Sequence, residues 1–169
     1  VFAREELQTR EDSWSILIDA SHSLSMFKGE VRGIALCLAE VARMLILDQN
    51  SWGMYAFNNK FYVIKDFSER FDAHVKARVG GLTHGGFTYL SDAVLLAAQA
   101  LIKRIEEARV LVVVSDFFPA GYEGAEEKLG ESVKKIERMG IGLIGIGVNS
   151  DAVKKYTRTS CVVENSYDL

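Results

Sequence analysis

Ser15-Ile16-Leu17-Ile18-Asp19-Ala20-Ser21-His22-Ser23 decides how this chain is read. Its first half is a continuous apolar run, the pattern of a buried strand. Its second half is an Asp-x-Ser-x-Ser turn, with one carboxylate and two hydroxyls on alternate residues. Three such groups can converge on one point. Hard divalent cations such as Mg²⁺ are bound through oxygen and often keep positions open for water or a ligand. Taken singly, Ser21 and Ser23 are also ordinary helix caps, so the turn gains meaning from what the rest of the chain brings to it.

Working outward, residues 30–47 carry Val31, Ile34, Ala35, Leu38, Ala42 and Leu45 at 3.6-residue spacing, which predicts an amphipathic helix. Residues 52–57 and 61–67 read as strands, and Asn58-Asn59 between them predicts a two-residue hairpin turn with φ > 0. A short helical piece and the loop signal Gly80-Gly81, Gly85-Gly86 follow. Leu90, Val94, Leu95, Ala98, Leu101, Ile102 and Ile105 mark a second strong helix. Residues 110–115 are again a continuous apolar run, closed by Asp116. A helix over 126–139, a strand over 141–148, a short helix near 151–157 and a strand at Cys161-Val162-Val163 complete the pattern. Gly142, Gly145 and Gly147 are read as allowing close helix packing.

Strands alternating with helices predict an α/β, doubly wound, mostly parallel six-stranded sheet with one antiparallel edge strand and helices on both faces. Ligands of such sheets sit beyond the carboxyl ends of the strands, where the strand order reverses. In the order 3-2-1-4-5-6 the first and fourth strands are neighbours. Asp19 and Asp116, which end those two strands, are therefore expected to face one crevice.

Composition narrows the function classes. The 169 residues suffice for one core, read as a polar lead-in over 1–12 and a single domain over 13–169, cut from a longer protein. A net charge of −3 without a basic run argues against nucleic acid. No segment approaches the ~20 apolar residues that cross a bilayer. Cys37 and Cys161 fit no zinc spacing or disulfide framework and are expected as buried free thiols, which points to the cytoplasm. Glu106-Glu107 and Lys134-Lys135 are read as solvated helix faces, and His22 as a solvent-facing turn residue. No Gly-x-x-x-x-Gly-Lys-[Ser/Thr] loop or Gly-x-Ser-x-Gly elbow is present, and Gly145-x-Gly147 is no dinucleotide fingerprint, since it lies inside a strand and no Gly-rich turn follows it into a helix.

Thr88, in Gly85-Gly86-Phe87-Thr88 before a helix, completes a pattern with the Asp-x-Ser-x-Ser turn and the aspartate after an apolar strand. Asp19, Ser21, Ser23, Thr88 and Asp116 together resemble the metal-ion-dependent adhesion site of von Willebrand factor A (vWA) domains, in order and spacing across nearly the whole chain. Tyr122-Glu123-Gly124, Lys134-Lys135-Ile136, Gly140-Ile141 and Gly145-Ile146-Gly147 resemble the nitric-oxide-reductase-activation and cobaltochelatase-subunit branch. That likeness implies a MoxR-type AAA+ ATPase as partner. It also implies Ser21 and Ser23 as direct ligands, Asp19 acting largely through water, and Thr88 and Asp116 exchanging direct and water-mediated roles. Phe117 stands where the family often has glycine.

The chemistry can be argued apart from the family. Three of the five ligands are neutral hydroxyls, so a bound Mg²⁺ or Mn²⁺ keeps much of its charge and draws a carboxylate from another protein. A non-catalytic interaction module is the expected function. The alternative is a Mg-dependent aspartyl phosphotransfer domain, against which Asp19 has no adjacent second acid and no lysine ends a strand nearby. Phe27, Phe87, Tyr89, Phe117, Phe118 and Tyr122 gather on the site loops, where they can either rim the ion or pack the loops.

Overall fold

A computed structural model describes residues 11–164. Residues 1–10 of the lead-in and the last five residues lie outside the described part, and Asp12, read with the lead-in, opens the first strand. Six strands form one sheet in the order β3-β2-β1-β4-β5-β6. They are β1 (Asp12–Asp19), β2 (Trp52–Phe57), β3 (Phe61–Lys65), β4 (Ala108–Ser115), β5 (Gly142–Val148) and β6 (Thr159–Val163). Among the described residues the β2–β3 pair is antiparallel and the other four pairs are parallel. The helices are α1 (Lys28–Leu45), α2 (Ala73–Gly80), α3 (Leu90–Ile102), α4 (Ala125–Arg138) and α5 (Val153–Tyr156), with a 3-10 segment over His22–Phe27 ahead of α1.

The central strands are apolar on both faces because both faces are covered. Ile16, Ile18, Val112 and Val114 pack with Val31, Ala35, Ala39 and Ala42 of α1 and with Val75 and Val79 of α2. Leu17, Leu111 and Val113 pack with Leu90, Val94, Ala97 and Leu101 of α3 and with Leu129, Val133 and Ile136 of α4. Alanines dominate the buried stripe of α1, which lets that helix lie close to the sheet. At Gly145 and Gly147 a Cβ would run into Val153 and its neighbours, so these two glycines seat α5 as the sequence predicts. Gly142 has no such neighbour within tight contact.

A lysine is built into the core. Lys65 is fully buried, and its ammonium donates to the carbonyls of Trp52 (2.7 Å), Gln49 (2.9 Å) and Asp66 (3.1 Å). It also stands 4.3 Å from the centre of the Trp52 ring, a cation–π contact.

Several expectations are corrected. Phe57 pairs with Phe61, so the hairpin loop holds three residues, 58–60, and neither asparagine takes φ > 0. Asn58 shapes it instead through its side chain, which accepts from the Lys60 amide at 2.8 Å. Leu45 and Ile105, placed by periodicity on buried stripes, are 66% and 92% exposed. Leu45 lies in the last turn of α1, beside the start of β1, and Ile105 lies beyond the end of α3. Glu106 is no solvated helix residue; it is buried after α3 and bridges Ser51 and Arg104. Its carboxyl is depressed to about 2: burial works against ionisation, and the hydrogen bonds from Arg104 and Ser51 outweigh it. Both cysteines are exposed rather than buried, Cys37 on the outer side of α1 and Cys161 on the edge strand β6.

Candidate metal centre

The carboxyl ends of β1 and β4 meet as the topology predicts. Parallel pairing runs to Ile18↔Val114, which sets Asp19 level with Ser115 and next to Asp116. Asp19 is fully buried, and so is Ser21; Thr88 and Asp116 are nearly so, and Ser23 is exposed. The turn after β1 closes on itself through the Ser21 amide, which donates to Asp19 Oδ1 at 2.8 Å. The hydroxyls of Ser21 and Ser23 lie 3.0 Å apart.

Three loops are laced together around this turn by their backbones. Gly85 donates to the Ala20 carbonyl (2.9 Å) and His22 donates to the Gly86 carbonyl (3.1 Å), which ties the glycine-rich loop to the serine turn. Ala120 donates to the Thr88 carbonyl (3.1 Å), which brings in the loop after β4. Ala20 donates to Phe57 O, and Asn58 holds Gly85 O through its side-chain amide at 2.8 Å. Asp19, Ser21 and Ser23 thus share one turn, Asp116 faces it, and Thr88 is carried on a loop bonded to both.

Two contributors were not singled out in the sequence. Ser115 donates to Asp19 Oδ2 at 2.5 Å while its own oxygen accepts from the Phe117 amide at 3.0 Å. Its sequence signal is its place as the last residue of the apolar strand, immediately before Asp116. Asn58 carries only a turn signal in the sequence. Phe117 itself adopts φ 57°, a left-handed conformation that a bulky side chain takes only under strain. It is compensated by burial: the ring is 2% exposed and stacks on Tyr156 at 6.4 Å. The chain therefore keeps a glycine-like backbone here while using the side chain in the core.

Among the described residues no positive side chain acts on the Asp19 carboxyl. Burial pushes the Asp19 carboxyl up to about 7. The hydrogen bonds from Ser115 and Ser21 hold it down in part, and the facing Asp116 charge raises it further. A divalent cation between the two carboxylates would remove that penalty, and the donors at hand are all oxygen. Among the described residues no three His, Cys, Asp or Glu side chains gather into a cluster, so a cation here would rely on hydroxyls as much as on carboxylates. Asp19 has both oxygens engaged by the protein, whereas Ser23 is open to solvent.

No curated protein sequence matches the chain. Among solved structures, BatB from Bacteroides thetaiotaomicron, described as a conserved hypothetical protein, is similar with a TM-score of 0.66 at 15% identity, over 92% of this chain and 91% of that one. A proximal thread matrix protein of the mussel byssus, described with a zinc-occupied MIDAS motif, superposes with a TM-score of 0.72 at 10% identity, over 92% and 44%. Manganese-loaded TRAP from Plasmodium vivax gives 0.62 at 15% identity, over 92% and 69%. At these identities the likeness is one of fold, and the shared fold is the vWA fold. The profile of the family described as the cobalamin biosynthesis protein CobT VWA domain matches residues 54–169, a span that begins after the serine turn and includes Thr88 and Asp116. That span is more than half of the sequence, and the chain belongs to the CobT VWA-domain family.

Proposed function

We propose that the domain is a non-catalytic interaction module that holds Mg²⁺ or Mn²⁺ at Ser21, Ser23, Thr88 and Asp116, with Asp19 acting through water, and recruits a carboxylate of a partner protein to the ion. The observation that carries this reading is the buried Asp19 facing Asp116, with the hydroxyls of Ser21 and Ser23 on the same turn. Because both Asp19 oxygens are already engaged by Ser21 and Ser115, an indirect role suits it better than direct ligation. The zinc-occupied and manganese-loaded states of the two metal-carrying relatives support a cation at the equivalent place in the fold. The partner is a MoxR-type AAA+ ATPase that remodels or metallates a client, and the domain works in the cytoplasm. The phosphotransfer alternative requires an accessible acceptor, and Asp19, its candidate, is fully buried.

Calorimetric titration with Mg²⁺ and Mn²⁺ at pH 8 tests the site. Saturable one-to-one binding that is lost in Ser21→Ala is expected; binding unchanged by that substitution would overturn the reading. Co-purification of the ATPase with wild type but not with Ser21→Ala tests the partner.

The raised Asp19 carboxyl adds a pH signature. Between the ordinary 3.8 and about 7, the folded metal-free domain holds a proton that the unfolded chain has released. This group's contribution to stability is full below pH ~4 and is lost as pH rises through about 7. A divalent cation displaces the same proton, so metal affinity is expected to fall about ten-fold per pH unit below 7. Titrations across pH 5 to 8 check this, and a flat affinity would contradict it.

A further inference from the structure

Apolar side chains on the three site loops and at the start of α3 divide into two groups. Leu24, Phe117 and Leu90 turn inward and are 1%, 2% and 0% exposed. Met26, Phe87 and Phe118 turn outward and are 88%, 58% and 60% exposed. Each exposed residue belongs to a different loop. Met26 lies three residues after Ser23, Phe87 precedes Thr88, and Phe118 lies two residues after Asp116. A single exposed hydrophobe needs no explanation, but several clustered around one polar centre mark an interaction site.

Of the outward residues, Phe87 is braced. Phe87 stacks on Tyr89 with the rings 6° from parallel, and Tyr89 meets Tyr122 edge-on at 5.5 Å. The Lys128 ammonium caps Tyr122 at 4.6 Å. The column needs Gly121, which has φ 117° and where a Cβ would run into Tyr89 and Phe87. The Phe118 amide donates to Asp116 Oδ1 at 3.1 Å, which sets the direction of that loop. A ring held in place before a partner arrives, as Phe87 is, loses little entropy on contact, the property of interface anchors.

We propose that Met26, Phe87 and Phe118 form an apolar rim around the carboxylate-binding position, so that the partner segment presents its Asp or Glu between apolar side chains. This rests on the metal-bridge reading. The occupant follows from complementarity: an anionic group suits the cation at the centre, and apolar neighbours suit the rim. A solvated acidic tail would satisfy the first and leave the rim wet.

Two labelled peptides test the rim: one with a central Glu flanked on each side by Leu and Phe, and one with those four positions replaced by Ser. Fluorescence anisotropy is read in MnCl₂ and in EDTA, with wild type, Phe87→Ala/Phe118→Ala and Met26→Ala. Truncating an anchoring ring costs about ten-fold in affinity, so wild type is expected to prefer the apolar-flanked peptide about 100-fold. The double variant should lose that preference, Met26→Ala should lose part of it, and Mn²⁺ affinity by calorimetry should be unchanged in both. Equal binding of the two peptides, no binding of either, or a preference that survives the double variant would overturn the rim. A preference that tracks the rim but is indifferent to EDTA would keep the rim and overturn the metal bridge.

Discussion

Asp19→Asn is expected to abolish Mg²⁺ and Mn²⁺ binding while raising the melting temperature of the metal-free domain at pH 8. The two effects share one cause. In the wild type an ionised Asp19 is buried against Asp116, and its carboxyl sits at about 7 instead of 3.8. That displacement corresponds to about 4 kcal/mol against the folded state once the group is ionised. Asparagine removes the charge and keeps the geometry: its oxygen still accepts from the Ser21 amide, and its NH₂ meets the Ser115 hydroxyl, which can turn to accept. At about 2–4 °C per kcal/mol for a domain of this size, a gain of about 5 °C or more is expected. At pH 5 the gain should shrink to about 2 kcal/mol or less, because the folded wild-type carboxyl is then protonated while the unfolded chain's is still ionised; it should disappear only below pH ~4. Metal affinity should drop at least ~100-fold, the upper end for loss of a residue that orients ligands. Thermal melts in EDTA and in MgCl₂ at both pH values read all four expectations. Wild-type metal affinity in Asp19→Asn would sink the assignment of this carboxylate to the centre.

Lys65→Met should produce the largest loss of stability. Methionine preserves the apolar stem but removes the ammonium that serves the carbonyls of Gln49, Trp52 and Asp66. The Trp52 carbonyl is buried, so water cannot readily replace the donor. An unsatisfied buried acceptor costs about 1–3 kcal/mol, and the Trp52 ring also loses its cation. A loss of about 3 kcal/mol, or about 10 °C in melting temperature, is expected. Metal affinity should be unaffected, since Lys65 ends β3, at the edge of the sheet. Denaturant melts with unchanged slope would check it; a variant as stable as wild type would mean that water reaches all three carbonyls.

What local patterning made legible was the element order, because burial on one or both faces imposes a period that can be read directly. The apolar runs at Ile16–Leu17–Ile18 and at residues 110–115 are continuous because both faces of a parallel sheet are covered. Periodicity failed at its margins. Leu45 and Ile105 have the right spacing, but spacing does not show where the sheet ends beneath a helix. Cys37 and Cys161 were misplaced for a similar reason: an apolar residue within an amphipathic element can lie on the outer side of a helix or on an edge strand. Lys65 was invisible, since its acceptors come from three different positions that only folding assembles.

At the candidate site the division is sharper. The side chains able to bind a hard cation, and the strand ends that carry two of them, follow from residue type and chain order. Three things depended on packing in space: Ser115 bonding to Asp19, the left-handed backbone of Phe117, and the split of the loop aromatics into buried Phe117 and exposed Phe87 and Phe118. Each is settled by long-range contacts, from β1 to β4, from Phe117 to Tyr156, and along the Phe87–Tyr89–Tyr122 column. Local sequence encodes preferences over a few residues; burial and electrostatics at a point are sums over everything that the fold brings there.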